Sequence, residues 1–190
     1  MTSSQSLANP NWENLPRPED DGAADHLLGM EMPDIALQAT DGGQVTLSGM
    51  AGPVVVYAYP MTGRPDRALP AGWDDIPGAR GCTPQSCAFR DHHAELQSLG
   101  ATAVFGLSTQ SPEDQAEAAA RLHLPFALLS DANLDLAHVL DLPSFEVEGR
   151  RLLRRLTLLV QNGHITHLRY PVFPPDSDAE AVAQWLKGLA

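Results

Sequence analysis

The chain has 190 residues, enough for one domain with a sizeable core, and a hydrophobic fraction of 43% that is ordinary for a soluble globular protein. Its formal net charge is −12 with a single lysine, Lys187. So acidic a surface repels phosphate backbones and excludes nucleic acid as an expected partner.

Residues 1–30 carry Pro10, Pro16 and Pro18, then an acidic run Glu19-Asp20-Asp21. They lack the basic start and apolar core of a secretory signal, and no apolar run in the chain approaches the roughly 20 residues that span a bilayer. A cytoplasmic location without membrane contact is therefore expected. The segment reads as an extended arm with a short turn near Ala23 to Leu28, either disordered or pinned to the domain by Trp12 and Leu15. The domain proper is expected over residues 31–190.

Ile35-Ala-Leu-Gln-Ala and Gln44-Val-Thr-Leu flank Thr40-Asp41-Gly42-Gly43, a strand–turn–strand signal. Val54-Val-Val-Tyr-Ala-Tyr59 is β-branched and aromatic without alternation, as in a strand buried on both faces. Residues 61–81 hold four glycines and three prolines, too many for regular structure. A helix is expected from Cys82 to about Leu99, with Phe89, His92, Leu96 and Leu99 on one stripe and Gly100 ending it. A strand follows at Thr102 to Leu107, then a helix from Pro112 to Leu122 capped by Ser111. Phe126 to Leu129 is a short strand and Asn133 to Leu140 a short helix. Arg154 to Val160 and Ile165 to Tyr170 flank Gln161-Asn162-Gly163-His164, a strong hairpin signal. A last helix runs from about Ser177 to Leu189. The order implies an α/β fold with a mixed β-sheet and helices on both faces.

The chemistry centres on Gly81-Cys82-Thr83-Pro84-Gln85-Ser86-Cys87-Ala88-Phe89-Arg90-Asp91, which holds both cysteines of the chain. A cysteine where a loop turns into a helix lies among unpaired backbone N–H groups at the positive end of the helix dipole. Both favour the thiolate, the reactive form. In a reducing compartment such a pair is more often catalytic or metal-bound than structural.

This stretch resembles the peroxiredoxins of the bacterioferritin comigratory protein or peroxiredoxin Q branch, which reads Gly-Cys-Thr-x-x-x-Cys-x-Phe-Arg-Asp here. Leu124-Pro-Phe-Ala-Leu-Leu-Ser-Asp131 and Arg155-Leu-Thr-Leu-Leu-Val160 are similar to the same family, and the resemblance covers roughly Met32 to Ala190. It implies a thioredoxin-like fold and a thiol-dependent peroxidase acting on hydrogen peroxide or organic hydroperoxides. Cys82 would be the peroxidatic thiol and Cys87 the resolving one. A thioredoxin-like dithiol would reduce the disulfide, with no cofactor and no metal, in a monomer or weak dimer. On an ideal helix, cysteines five residues apart have Cα atoms roughly 8–9 Å apart, beyond the ~7 Å that a disulfide tolerates. The first turns of the helix are thus expected to unwind whenever Cys82 and Cys87 join.

The resemblance also implies that Arg155, two residues before Thr157, supports the Cys82 sulfur. A guanidinium there lowers the thiol pKa, hydrogen-bonds the peroxide and never deprotonates. Because Arg154 and Arg155 face opposite ways in a strand, only one can point at the site. The family loop reads Pro-x-x-x-Thr-x-x-Cys, with the proline shielding the thiolate and the threonine hydrogen-bonding the peroxide. Tyr59-Pro60 supplies the proline. Cys82, however, lies 22 residues after Pro60 rather than seven, so fifteen residues are inserted, and Ala79 occupies the threonine position. Thr62 is the candidate replacement, and backbone amides at Gly81 and Cys82 are the alternative. The insertion at about 61–80, with Trp73 and Ile76, is either a lid or a segment without order.

Other readings stay open. Cys82, Cys87, His92 and His93 can be written as a metal set, but adjacent helical histidines diverge by about 100°, and His92 reads better as a packed core residue. Phe89, Arg90 and Asp91 read as structural, with Arg90 paired to a carboxylate. A protein dithiol–disulfide oxidoreductase usually carries Cys-x-x-Cys, a closer spacing than this one. A non-enzymatic redox sensor, its disulfide reshaping the inserted loop, is the other rival.

Overall fold

The structure, a computed structural model, describes residues 10–190. The part of the expected arm at residues 1–9 lies outside them. The order is β1 (Ala36–Ala39), β2 (Gln44–Thr46), β3 (Pro53–Ala58), α1 (Cys82–Ser98), β4 (Ala103–Ser108), α2 (Pro112–Arg121) and β5 (Leu128–Ser130). Then come α3 (Asp135–Val139), β6 (Ser144–Val147), β7 (Arg150–Leu153), β8 (Leu156–Gln161), β9 (His164–Arg169) and α4 (Asp178–Leu189).

Among the described residues, seven strands form one mixed sheet in the order β2-β1-β5-β4-β3-β8-β9. β3 lies parallel to β4 and antiparallel to β8, and β4 is parallel to β5. β3 is apolar on both faces because both are covered. Val54, Val56 and Ala58 face a core with Leu107, Leu136 and Leu158, whereas Val55, Tyr57 and Tyr59 face Phe89, Leu96, Val182 and Leu186 of α1 and α4. The chemistry sits where β3 ends and α1 begins.

The hairpin from β8 to β9 turns at Asn162-Gly163 with φ of 49° and 81°, the paired positive values of a two-residue hairpin turn. A side chain on Gly163 would meet the Ser48 carbonyl oxygen at 2.8 Å, which reserves the position for glycine. α2 starts as expected, with the Asp114 amide donating to Ser111 Oγ.

Several boundaries move. The strand expected at 126–129 shifts to Leu128–Ser130, because Phe126 turns its ring against Tyr57 at 5.9 Å instead of pairing. The strand expected from Arg154 starts at Leu156, since Arg154 and Arg155 belong to the link that leaves a second, two-stranded sheet, β6 with β7. That hairpin was not anticipated; its turn is Glu148-Gly149, both at positive φ.

The expected boundary at residue 31 also yields to packing. Ala24 and Leu27 are fully buried in the core, and Gly29 and Met30 exchange backbone hydrogen bonds with Ile165 on β9. Residues 24–30 therefore belong to the body of the domain. Upstream, Trp12 donates its indole N–H to Asp176, meets Phe173 edge-on, and lies where a side chain on Gly81 would be.

The insertion is ordered. Trp73 begins a single helical turn, Trp73–Asp75, and packs with Met61, Ala79 and Leu152 into a small core. Leu69 and Ile76 lie against the same core, as do Phe145 and Val147 of the hairpin. Arg121 and Arg64 fasten the near end, the first to the Gly63 carbonyl and the second to Asp114.

Candidate active site

Cys82 is the first residue of α1 and is only 4% exposed. Gly81 before it has φ 115°, and no side chain caps the helix, so the first-turn N–H groups keep their dipole at the sulfur. A side chain on Gly81 would come within 2.5 Å of Pro175 and 2.9 Å of Trp12, which explains the glycine.

Arg155 is the charge that meets this sulfur. It is 3% exposed, and Nη2 donates to Cys82 Sγ at 3.3 Å. The same nitrogen reaches the carbonyls of Gly78, Ala79 and Arg80 at 3.2, 3.2 and 3.3 Å. These three residues lead into Gly81 and the helix, so one guanidinium holds both the turn and the thiol. Nη1 donates to Gln85 Oε1. The buried Nε has no partner among the described residues. Arg154 points the other way and covers the Phe145 ring at 5.6 Å.

Behind Arg155 runs a buried chain of polar groups. Gln85 Nε2 donates to Asp178 Oδ2 at 2.8 Å, Thr157 Oγ1 donates to the same oxygen at 2.6 Å, and Arg169 donates to Asp178 Oδ1 at 3.2 Å. Burial pushes the Asp178 carboxyl above the usual range, opposed by Thr157, Gln85 and the two guanidinium groups. Tyr57 and Tyr59, also fully buried, are held above the ordinary phenol range by desolvation.

Pro60 is buried and, with Arg155, lines a cavity of about 320 Å³. Arg17 and Pro18 of the arm, Phe145 of the hairpin, Arg154 and Tyr170 also belong to its wall, and Cys82 does not. The depression that touches Cys82 itself is far smaller, about 30 Å³, between Met61, Leu69 and Trp73 on one side and Pro10 on another. Thr62 is buried nearby but is committed elsewhere: its amide and its hydroxyl both donate to Gln110 Oε1, at 2.9 and 3.2 Å. Ala79, in the family's threonine position, contributes its carbonyl, which lies 3.7 Å from the sulfur.

Cys87 is half-buried, and both cysteines are unpaired thiols on an unbroken α1. Phe89 stacks on Tyr57 at 4.3 Å. Arg90 donates to Asp91 and to the Leu122 carbonyl. His92 is no core residue: it is half-buried, with Nδ1 on the Ala88 carbonyl of its own helix. Its place at the edge of the stripe leaves one side of the ring to solvent.

The redoxin family profile matches residues 27–183. The chain belongs to the redoxin family. A chloroplastic peroxiredoxin Q of Sedum lineare is 32% identical over 85% of this chain and 78% of its own. Peroxiredoxin Bcp of Escherichia coli is 31% identical over 82% of this chain and 92% of its own. Among solved structures, the bacterioferritin comigratory protein of Xanthomonas campestris superposes with a TM-score of 0.65, at 25% identity over 84% and 97% of the two chains. That work concerns the alkyl peroxide reduction activity of the Xanthomonas protein. This redoxin is thus of the peroxiredoxin Q/Bcp type, and its seven-stranded sheet with flanking helices is the thioredoxin-like fold expected above.

Sequence reasoning on this redoxin missed Gln85, Asp178 and Arg169. Gln85 had a local signal, since residues three apart share a helix face and Cys82 sits three before it. Asp178 had none. It lies 93 residues from Gln85 in the chain, and only the folded topology joins them.

Proposed function

We propose that this protein is a thiol-dependent peroxidase in which Cys82 attacks the peroxide and Cys87 resolves the product. The Cys82 thiolate takes one peroxide oxygen while the O–O bond breaks, and the other oxygen leaves as water or an alcohol once protonated. The sulfenic acid on Cys82 then condenses with the Cys87 thiol, releasing water and forming the disulfide. A dithiol donor of the thioredoxin kind returns both cysteines to thiols and leaves oxidised. The reading places this cycle in a reducing compartment.

The observation that carries the proposal is the Arg155 guanidinium at 3.3 Å from the Cys82 sulfur, with a buried Nε that has no partner among the described residues. The first contact favours the thiolate. The second leaves a donor for the peroxide oxygens, whose charge grows as the bond breaks. Pro60 lines the wall of the larger cavity, whose volume of about 320 Å³ is within the range of small-molecule sites.

A redox sensor is the second reading, favoured by the committed Thr62 hydroxyl and the tight cover over Cys82. Intact mass after one equivalent of hydrogen peroxide tests the assigned roles. The expected pattern is loss of two hydrogens in the reduced protein, no change in Cys82→Ser, and one added oxygen in Cys87→Ser. Steady turnover with a dithiol reductant then separates an enzyme from a sensor, which reacts once and recycles slowly. An unreacted wild-type protein would sink the peroxidase reading.

A further inference from the structure

We propose that Asp178 is a positioning residue for the Cys82 thiolate, acting through the Gln85 amide on Arg155. The inference rests on Cys82 being the reactive thiol, and it concerns how that thiol is prepared rather than what it attacks.

A carboxylate only accepts hydrogen bonds and a guanidinium only donates them. The Gln85 side chain bridges one of each, with Nε2 on Asp178 Oδ2 and Oε1 on Arg155 Nη1. That arrangement permits one amide orientation. Flipping it would set oxygen against oxygen at one end and N–H against N–H at the other. Asp178 is itself held from three directions, by Gln85, Thr157 and Arg169, at the first turn of α4. The carboxylate therefore fixes the amide, the amide fixes one arm of the guanidinium, and the other arm rests on Cys82 Sγ. The alternative, that Asp178 merely pins α4 to β9 through Arg169, leaves the direction of the Gln85 bond unexplained.

Charge makes the idea testable by sign. The cluster holds two guanidinium groups and one carboxylate, Arg155, Arg169 and Asp178, so it balances when Cys82 is a thiolate. Removing the negative charge by Asp178→Asn would, by electrostatics alone, lower the Cys82 pKa. Loss of positioning predicts the opposite, because Arg155 would no longer be held on the sulfur.

The experiment measures the Cys82 pKa from the pH dependence of its alkylation by iodoacetamide, in a Cys87→Ser background. It uses Asp178→Asn, Gln85→Met and the double variant. Gln85→Met cuts the bridge while leaving Asp178 paired with Arg169 and Thr157, so it remains informative if Asp178→Asn folds poorly. Each single change should raise the thiol pKa and slow sulfenic acid formation roughly tenfold, the scale of lost supporting hydrogen bonds. The double variant should be no worse than either single one, since both remove the same link. A lowered or unmoved thiol pKa in Gln85→Met, or additive effects in the double variant, would overturn the proposal. Alkylation needs no peroxide, so failure of the peroxidase reading would show separately, as a wild-type thiol that alkylates normally and ignores peroxide.

Discussion

Cys82 and Cys87 share one helix, yet their surroundings differ in kind. Cys82 is walled in, with a guanidinium on its sulfur whose other bonds go to the Gly78, Ala79 and Arg80 carbonyls and to Gln85. Cys87 is half-buried near Arg90, whose own hydrogen bonds go to Asp91 and to the Leu122 carbonyl. Asp91 first, and Cys87 as a lesser contributor, raise the Arg90 pKa. An arginine close to each thiol thus serves two ends. One is aimed at sulfur by a buried network, and the other closes the end of a neighbouring helix. The lesson is that proximity of charge is not enough; direction distinguishes a site from a surface.

The sharpest way to break the comparison is to remove each arginine. Arg155→Met should slow the reaction of Cys82 with hydrogen peroxide by about 10²–10³, the usual loss for one oriented donor, read by stopped-flow on reduced protein. Arg155→Lys should recover little, because an ammonium cannot fork between Gln85 and the sulfur. Arg90→Met should leave that rate within about threefold of wild type, an effect of the size expected for a distant exposed charge. Equal losses at both positions would erase the distinction drawn here.

The second test follows from distance. α1 is continuous from its first residue, Cys82, through Cys87, which puts the two Cα atoms roughly 8–9 Å apart where a disulfide needs less than about 7 Å. Amide exchange should therefore show protection across residues 85–88 in the reduced protein, where the Gln85 amide makes the first bond of the helix, and its loss in the disulfide form. Trp12 and Pro175 rest on Gly81, so residues 10–15 and 173–177 should loosen with it. Equal protection in both forms would mean that the pair closes without unwinding.

Much of this was legible in local sequence. The Cys82 helix start, the Ser111 cap and the Asn162-Gly163 turn each declare themselves within four residues, because backbone geometry there demands those side chains. What stayed hidden is long-range. The β6–β7 hairpin carries Glu146, Arg150 and Arg151 on short strands and Glu148 in its turn, and their charge masks the alternation. The small core of Met61, Trp73, Ala79 and Leu152 joins two segments that are weakly apolar alone. Gln85 and Asp178 meet only because α4 packs beside α1. The unequal roles of Cys82 and Cys87 and the place of Arg155 beside the first were readable; the Gln85 and Asp178 network behind Arg155 was not.

A smaller effect is expected from pH. Burial raises the Asp178 carboxyl pKa in the folded protein above its unfolded value. Between those two values the folded state binds the extra proton, so the contribution of Asp178 to stability falls as pH rises through that window and stays low above it. Asp178→Asn carries no such proton. The melting temperature of wild type relative to Asp178→Asn should therefore decline from about pH 4 upward and then level off. A rising difference would mean that the ion pair with Arg169 outweighs desolvation.

The smallest expected effect concerns Thr62, the threonine two residues after Pro60. The family resemblance implies a loop threonine on the peroxide; here Thr62 gives its hydroxyl and its amide to Gln110, which in turn donates back to the Thr62 carbonyl at 3.3 Å. Three hydrogen bonds to one glutamine fix the backbone after Pro60 more than they prepare a donor for substrate. Thr62→Val keeps the shape and two of the three bonds, so the Cys82 rate with hydrogen peroxide should fall by no more than about threefold, the low end of the ~0.5–1.5 kcal/mol worth of one hydrogen bond. A loss above about thirtyfold would show that Thr62 leaves Gln110 and turns to the peroxide when it arrives. The hydroxyl would then be supplied from within the insertion, and the burden assigned to Arg155 Nε and the first-turn amides would shrink accordingly.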